Sequence, residues 1–118
     1  MSINPSALAP YRDAMGDPAI IDLIDTFLDT SGNLVSALYR SLAENDTKTF
    51  TRSAHTLKSN SAIFGAGLLT DLCKELEAAG KKGQINAGMY SVVDQIKAEH
   101  KQVCRELAEL RKNIAGTP

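Results

Sequence analysis

TKTFTRSAHTLKSNSAIF, residues 47–64, decides the fold, because its apolar side chains recur with a helical period. Phe50, Ala54, Leu57, Ser61 and Phe64 follow one another at steps of four, three, four and three, which places them on one buried stripe of an α-helix. Asp46 or Thr47 caps its start, and Asn45-Asp46 form the turn before it. Gly65 and Gly67 supply the reversal after it, since glycine accepts the left-handed conformation that ends helices.

The same period extends in both directions. Downstream, Leu69, Leu72, Cys73 and Leu76 point inward from a helix over about 67–79 that ends at Gly80, and a loop follows over 81–86. A last helix over about 87–113 carries Met89, Val93, Ile96, Val103, Leu107 and Leu110, and residues 115–118 read as a frayed tail. Upstream, Asp17 caps a long helix over about 18–44 and Pro18 takes its first position, where a missing N–H is harmless. Ile20, Ile24, Phe27, Leu34, Leu38 and Leu42 form its inner face, and Ser31-Gly32 predicts a kink or a short break. A first short helix lies between Pro5 and Met15, broken or delayed by Pro10, with Leu8, Tyr11 and Met15 on one side. Long amphipathic helices joined by short connections predict an all-α fold: an antiparallel four-helix bundle with an additional short N-terminal helix, in a single domain over residues 1–118.

Composition agrees. The chain has 118 residues, no Trp, three Phe and three Tyr, enough for one aliphatic core and too few residues for two. A net charge of −1 offers no broad basic surface, so nucleic acid is not an expected partner. No apolar run is long enough to span a bilayer, and MSINPSALAP lacks the basic flank and apolar block of a secretory signal; the expected location is cytoplasmic. Cys73 and Cys104 sit far apart inside helical patterns and read as reduced thiols. No metal site is expected. His100 and Cys104 form an i, i+4 pair, but two ligands are too few for a closed site.

The chain's two histidines occupy opposite environments. His100 falls on the stripe through Ile96, Val103 and Leu107 and is expected at the rim of the core. His55 lies roughly 135° from the centre of its helix's buried stripe and points to solvent. Thr51, Lys58, Ser59 and Ala62 share its side and Arg52 flanks it. An imidazole in water titrates near ~6.5, which leaves a free lone pair in most molecules at neutral pH. A nearby ammonium favours that neutral form and attracts phosphoryl oxygens.

SAHTLKSNSAIFGAGLLTDLCKELE, residues 53–77, resembles the signature of histidine phosphotransfer (HPt) domains. In that family a phosphoacceptor histidine is followed by lysine at the third position and glycine near the tenth, then by a leucine-rich helix ending in a Cys-x-x-Leu-Glu-like stretch. His55, Lys58, Gly65, Leu69, Leu72, Cys73, Leu76 and Glu77 stand at those places, and the helical layout extends the likeness over nearly the whole chain. One position departs: the family commonly has glycine one turn after the histidine, where this chain has Ser59. Serine is still small, so a partner can approach, but altered partner preference or transfer rate is expected.

The resemblance implies a phosphocarrier that relays a phosphoryl group between the aspartates of response-regulator receiver domains in a two-component phosphorelay. His55 is then the nucleophile and Lys58 the charge stabiliser. Ser59, Ala62, Thr51 and Arg52 form the near docking surface, with Ile21 or Leu28 exposed beside it if the N-terminal helix leaves the apolar surplus of the second helix uncovered. The chain itself would bind no cofactor, the Mg²⁺ belonging to the partner receiver. A hybrid sensor kinase is a further implied partner, and a finished bundle implies a monomer. Gly65-Ala66-Gly67 is too short for a P-loop, so no ATP site and no enzyme activity of its own are expected. Two alternatives remain at this stage: a helical adaptor that binds a receiver without carrying phosphate, and the phosphotransfer domain of a chemotaxis-type or hybrid kinase.

Overall fold

A computed structural model describes residues 1–116. A 3₁₀ turn over Pro5–Leu8 leads into α1 (Ala9–Met15), followed by α2 (Asp17–Ala43), α3 (Thr47–Ile63), α4 (Gly67–Lys81), a 3₁₀ turn over Ala87–Met89 and α5 (Tyr90–Ala115). Among the described residues there is no strand. The fold is all-α, as the periodicity predicts. The tail expected at 115–118 falls outside the described residues from 117 onward, and Ala115 closes α5.

Each of the four long helices packs against two others: α2 on α3 and α5, α4 on α3 and α5. Neighbours run antiparallel, because early residues of one meet late residues of the next. Across the α3–α4 seam His55 faces Glu77 and Ser61 faces Thr70. Across the α2–α5 seam Asp25 faces Arg111, Ser31 faces His100 and Tyr39 faces Asp94. The 27 residues of α2 rise ~40 Å and set the 45 Å long dimension of the molecule.

The core fills the space between these helices. Phe50, Leu57, Phe64, Ile24, Leu69 and Ile96 are among its buried members, each stabilising the fold by ~1.5–3 kcal/mol relative to an exposed side chain. Phe27 and Phe64 meet edge to face with ring centroids 5.3 Å apart, the favoured aromatic geometry. The N-terminal segment closes one end. Ile3 and Leu8 are buried, Glu106 accepts hydrogen bonds from the Ser2 and Ile3 amides at 3.0 Å each, and the Asn4 amide donates to the Phe64 carbonyl.

Several local expectations change. Ser31-Gly32 does not break α2: the Ser31 hydroxyl donates to the Phe27 carbonyl at 2.5 Å inside an uninterrupted helix. Asp17 is the first residue of α2 and not its cap; it pairs with Arg12. Asp46 is the α3 cap, accepting from the Thr49 amide at 3.1 Å. Pro10 sits in the first turn of α1, so it delays the α-helix without breaking it. Gly80 does not end α4, which continues to Lys81; Gly83, at φ 66°, takes the left-handed conformation in the loop that follows. Gly80 is buried, and a Cβ there would run into the Thr51 hydroxyl and lie 3.0 Å from its Cβ. It permits the close approach of α3 and α4. Leu8 is buried as expected, but Tyr11 and Met15 are exposed at 39% and 52%, so Ile3 joins Leu8 in covering the bundle.

Candidate functional site

The buried stripe of α3 turns His55 outward, where its side chain is 58% exposed. It is not free, however. Its Nδ1 lies 2.6 Å from Oε2 of Glu77 on α4. Glu77 stands one turn after Cys73 on the inner face of its helix and is only 4% exposed. The Lys58 ammonium donates to its other oxygen, Oε1, and the Lys81 ammonium lies 3.5 Å from Oε2. The Lys58 hydrogen bond is the largest of the effects that hold the Glu77 carboxyl down to about 2, with His55 and the two ammonium charges adding to it against the opposing effect of burial.

That charge state fixes the histidine tautomer. An ionised carboxylate can only accept, so the hydrogen between the two groups is on Nδ1, and in the neutral ring Nε2 carries the lone pair. Glu77 occupies the inner side of the imidazole, and Nε2 is at the open side. A buried carboxylate that orients a histidine and balances positive charge on it is an arrangement suited to nucleophilic chemistry at the far nitrogen.

The site's spacing comes from the helix seam. Thr51, one turn before His55, packs on Gly80, three residues after Glu77. Its hydroxyl donates to the Thr47 carbonyl at 2.7 Å; half-buried, Thr51 both spaces the two helices and lines the depression beside His55. Ser59, Ala62 and Arg52 are exposed on the His55 helix, as their phase predicts. Lys58 is brought to the site, but as a partner of Glu77 and not as a free cation. Lys48, Arg52 and Lys81 line an open depression together with His55 and Glu77.

Ile21 and Leu28 are not brought to His55. Leu28 packs against the core and Ile21 is half-buried. Both flank Asp25 on the side of α2 that faces α5, where Asp25 pairs with Arg111 at 2.6 Å. The side of α2 facing α3 carries instead Leu23, Thr26 and Thr30, which form an apolar groove with Asn60 and Ile63.

His100 behaves as its phase predicts. It is half-buried, and Phe27 packs against its ring at 5.9 Å between centroids. Its Nε2 lies 2.7 Å from the Ser31 hydroxyl and 3.4 Å from the Cys104 sulfur. Burial pushes the His100 pKa down and the Cys104 thiol up. Among the described residues, no three His, Cys, Asp or Glu side chains group as metal ligands, and no helix is long and apolar enough to cross a membrane.

Sequence reasoning gave Glu77 only as part of a motif. The available signal was a carboxylate in phase with Leu69, Cys73 and Gly80 on an inward face, where an acidic residue requires partners.

The family model described as the Hpt domain matches residues 22–113. The crystal structure of histidine-containing phosphotransfer protein B (HptB) from Pseudomonas aeruginosa PAO1 superposes with a TM-score of 0.84 and 27% sequence identity, covering 95% of this chain and 96% of that one. Among curated proteins, none matches the chain closely enough to count as a relative.

Proposed function

The chain belongs to the Hpt domain family, a histidine phosphotransfer protein of phosphorelays, and from that premise we propose that His55 is the residue that carries the phosphoryl group. One observation supports this above the others: His55 pairs an exposed ring with a buried, ionised partner on Nδ1, so the nucleophilic nitrogen is the one that another protein can reach.

The partner is a response-regulator receiver domain bearing an aspartyl phosphate, delivered by a hybrid sensor kinase or by another receiver. Nε2 attacks phosphorus in line, the phosphorus–oxygen bond to the aspartate breaks, and its electron pair leaves on the carboxylate. The ring becomes cationic, with Nδ1–H still directed at Glu77. The reverse sequence delivers the group to a second receiver. Such transfers depend on positioning and on electrostatic stabilisation, so few catalytic groups are required of the carrier. Glu77 is the positioning residue and Lys58 anchors it, which changes the role expected of Lys58. The receiver is expected to contribute its own Mg²⁺. Ser59, Ala62 and Arg52 form the surface over which it docks. The chain acts as a monomeric carrier with no ATP site of its own, and its location is cytoplasmic.

The test is incubation of the whole chain with phosphorylated receiver domains, followed by assay for acid-labile, alkali-stable phosphate. Wild type is expected to become labelled and His55→Gln to remain unlabelled, while His100→Gln labels normally. Label that survives His55→Gln moves the site elsewhere and ends this reading.

A further inference from the structure

We infer that Lys81, rather than Lys58, is the cation that receives the phosphoryl group on His55, by exchanging the Glu77 carboxylate for the phosphoryl oxygens. The inference rests on His55 being the acceptor.

Both lysines contact Glu77, but not equivalently. Lys58 donates directly to Oε1 and its side chain is 27% exposed. Moving it away would strip a buried carboxylate of its firmest partner, a strongly unfavourable change. Lys81 stands 3.5 Å from Oε2 with its side chain 66% exposed. That separation is longer than a formed hydrogen bond, so little is lost when the ammonium leaves. One carboxylate oxygen, Oε2, separates Lys81 from the His55 ring.

The depression beside His55 gives an independent reason. Lys81, Arg52 and Lys48 line it, and Lys58 does not. Glu77 is the single carboxylate among its lining residues, and Lys48 and Arg52 hold no salt bridge among the described residues. The hollow therefore carries an excess of positive charge on the side of the ring away from Lys58. A phosphoryl group brings up to two negative charges on three acceptor oxygens.

The charges exchange as the bond forms. Before transfer the ring is neutral, and Oε2 is shared by Nδ1–H and the Lys81 ammonium. After transfer the ring is cationic, so Oε2 gains a full charge on Nδ1–H at 2.6 Å and no longer needs Lys81. The lysine is released as the phosphoryl dianion appears beside it. Glu77 keeps Lys58 throughout.

Phosphoramidate tests this without a docking partner. Nε2 attacks its phosphorus, the phosphorus–nitrogen bond breaks, and ammonia leaves with the bonding pair. The product is an imidazolium with hydrogen on Nδ1 and phosphorus on Nε2, and charge is conserved. The measurement is the rate of mass gain of the full chain. Lys81→Gln is expected to label about three- to tenfold more slowly, the range for losing one charge-assisted contact at a partly exposed site. Lys81→Arg should recover most of the rate. Lys82→Gln, one residue on and outside the depression, should match wild type. Nitrogen NMR of the imidazole should show the Nδ1–H tautomer unchanged in Lys81→Gln.

Three outcomes overturn the inference: wild-type rates in Lys81→Gln, an equal slowing in Lys82→Gln, or a shifted tautomer in Lys81→Gln, which would mean that Lys81 acts only through Glu77. A mass gain in His55→Gln equal to that of wild type overturns the acceptor assignment instead, and is read in the same experiment.

Discussion

His55 and His100 each reach across a helix seam to a polar side chain on the neighbouring helix, yet the two seams leave opposite nitrogens available. On the α3–α4 side, Glu77 takes Nδ1–H of His55 and leaves Nε2 facing out. On the α2–α5 side, Ser31 already donates its one hydroxyl hydrogen to the Phe27 carbonyl. His100 turns its Nε2 inward to that hydroxyl, at 2.7 Å. The partners differ as well. Glu77 is a charged group that stabilises positive charge on a ring, whereas Ser31 and Cys104 are neutral and offer no counter-charge, and burial holds the His100 pKa down. The proposed acceptor thus differs from the second histidine in its partner and in the nitrogen left open, not in exposure alone.

The most severe way to break this contrast is to remove Glu77. In Glu77→Ala, His55 loses its tautomer anchor and the counter-charge for its cationic state, while Lys58 and Lys81 lose their carboxylate. Transfer from a phosphorylated receiver is expected to slow by about 10–100-fold, the range for losing an orienting hydrogen bond plus charge stabilisation. Single-turnover transfer kinetics check it. A rate within twofold of wild type would show that the seam does not prepare the nucleophile. Acid gives a second readout of the same group. Because the folded pKa of Glu77 is depressed to about 2, its contribution to stability is present above the unfolded value and is lost as pH falls through the folded one. At most that contribution is on the order of 3 kcal/mol.

How much of this contrast the chain's letters reveal depends on what each feature requires. The outward phase of His55 and the inward phase of His100 follow from helical period alone, and the structure keeps both. Glu77 is harder, because its role requires knowing which helix lies across from α3 and in what register. Glycine after a periodic stretch is the usual stop signal, so Gly80 reads as a helix end; only the packing of Thr51 against it shows a different use. Ser31-Gly32 reads as a kink or a short break because propensity sees the serine–glycine pair but not the carbonyl and imidazole that the Ser31 hydroxyl engages in an uninterrupted helix. The breadth of the apolar face on α2 suggests Ile21 or Leu28 as a contact beside His55, and breadth does not say which neighbour that face meets.

Gly80 offers a smaller and more local perturbation of the α3–α4 side. In Gly80→Ala the new methyl group meets the Thr51 hydroxyl and Cβ, forcing α3 and α4 apart or α4 to slide. The expected destabilisation is about 1–3 kcal/mol, as for other overpacked cores, and it is measured by denaturant unfolding. Since Glu77 lies one turn away on the same helix, transfer should slow along with the loss of stability. Thr51→Ala, which removes the hydroxyl, should recover part of both in the double variant, and the two changes should be non-additive because the residues touch. Strict additivity would mean that the helices do not meet at this point.

The smallest expected effect belongs to the α2–α5 side and separates the two histidines by pH. Burial lowers the pKa of His100, so the folded protein resists protonating it while the unfolded chain does not. Its contribution to stability is complete above the unfolded value near ~6.5 and declines as pH falls below that toward the depressed folded value. The Glu77 contribution declines only below the usual carboxylate range. Wild-type melting temperature should therefore fall in an upper stage from pH 7 to 5 and again in a lower, acid stage. His100→Gln should flatten the upper stage by a few degrees at most, leave the lower one intact, and leave labelling at His55 unchanged. An upper stage that persists in His100→Gln would assign that titration to another group, and burial would not be what keeps the His100 ring uncharged.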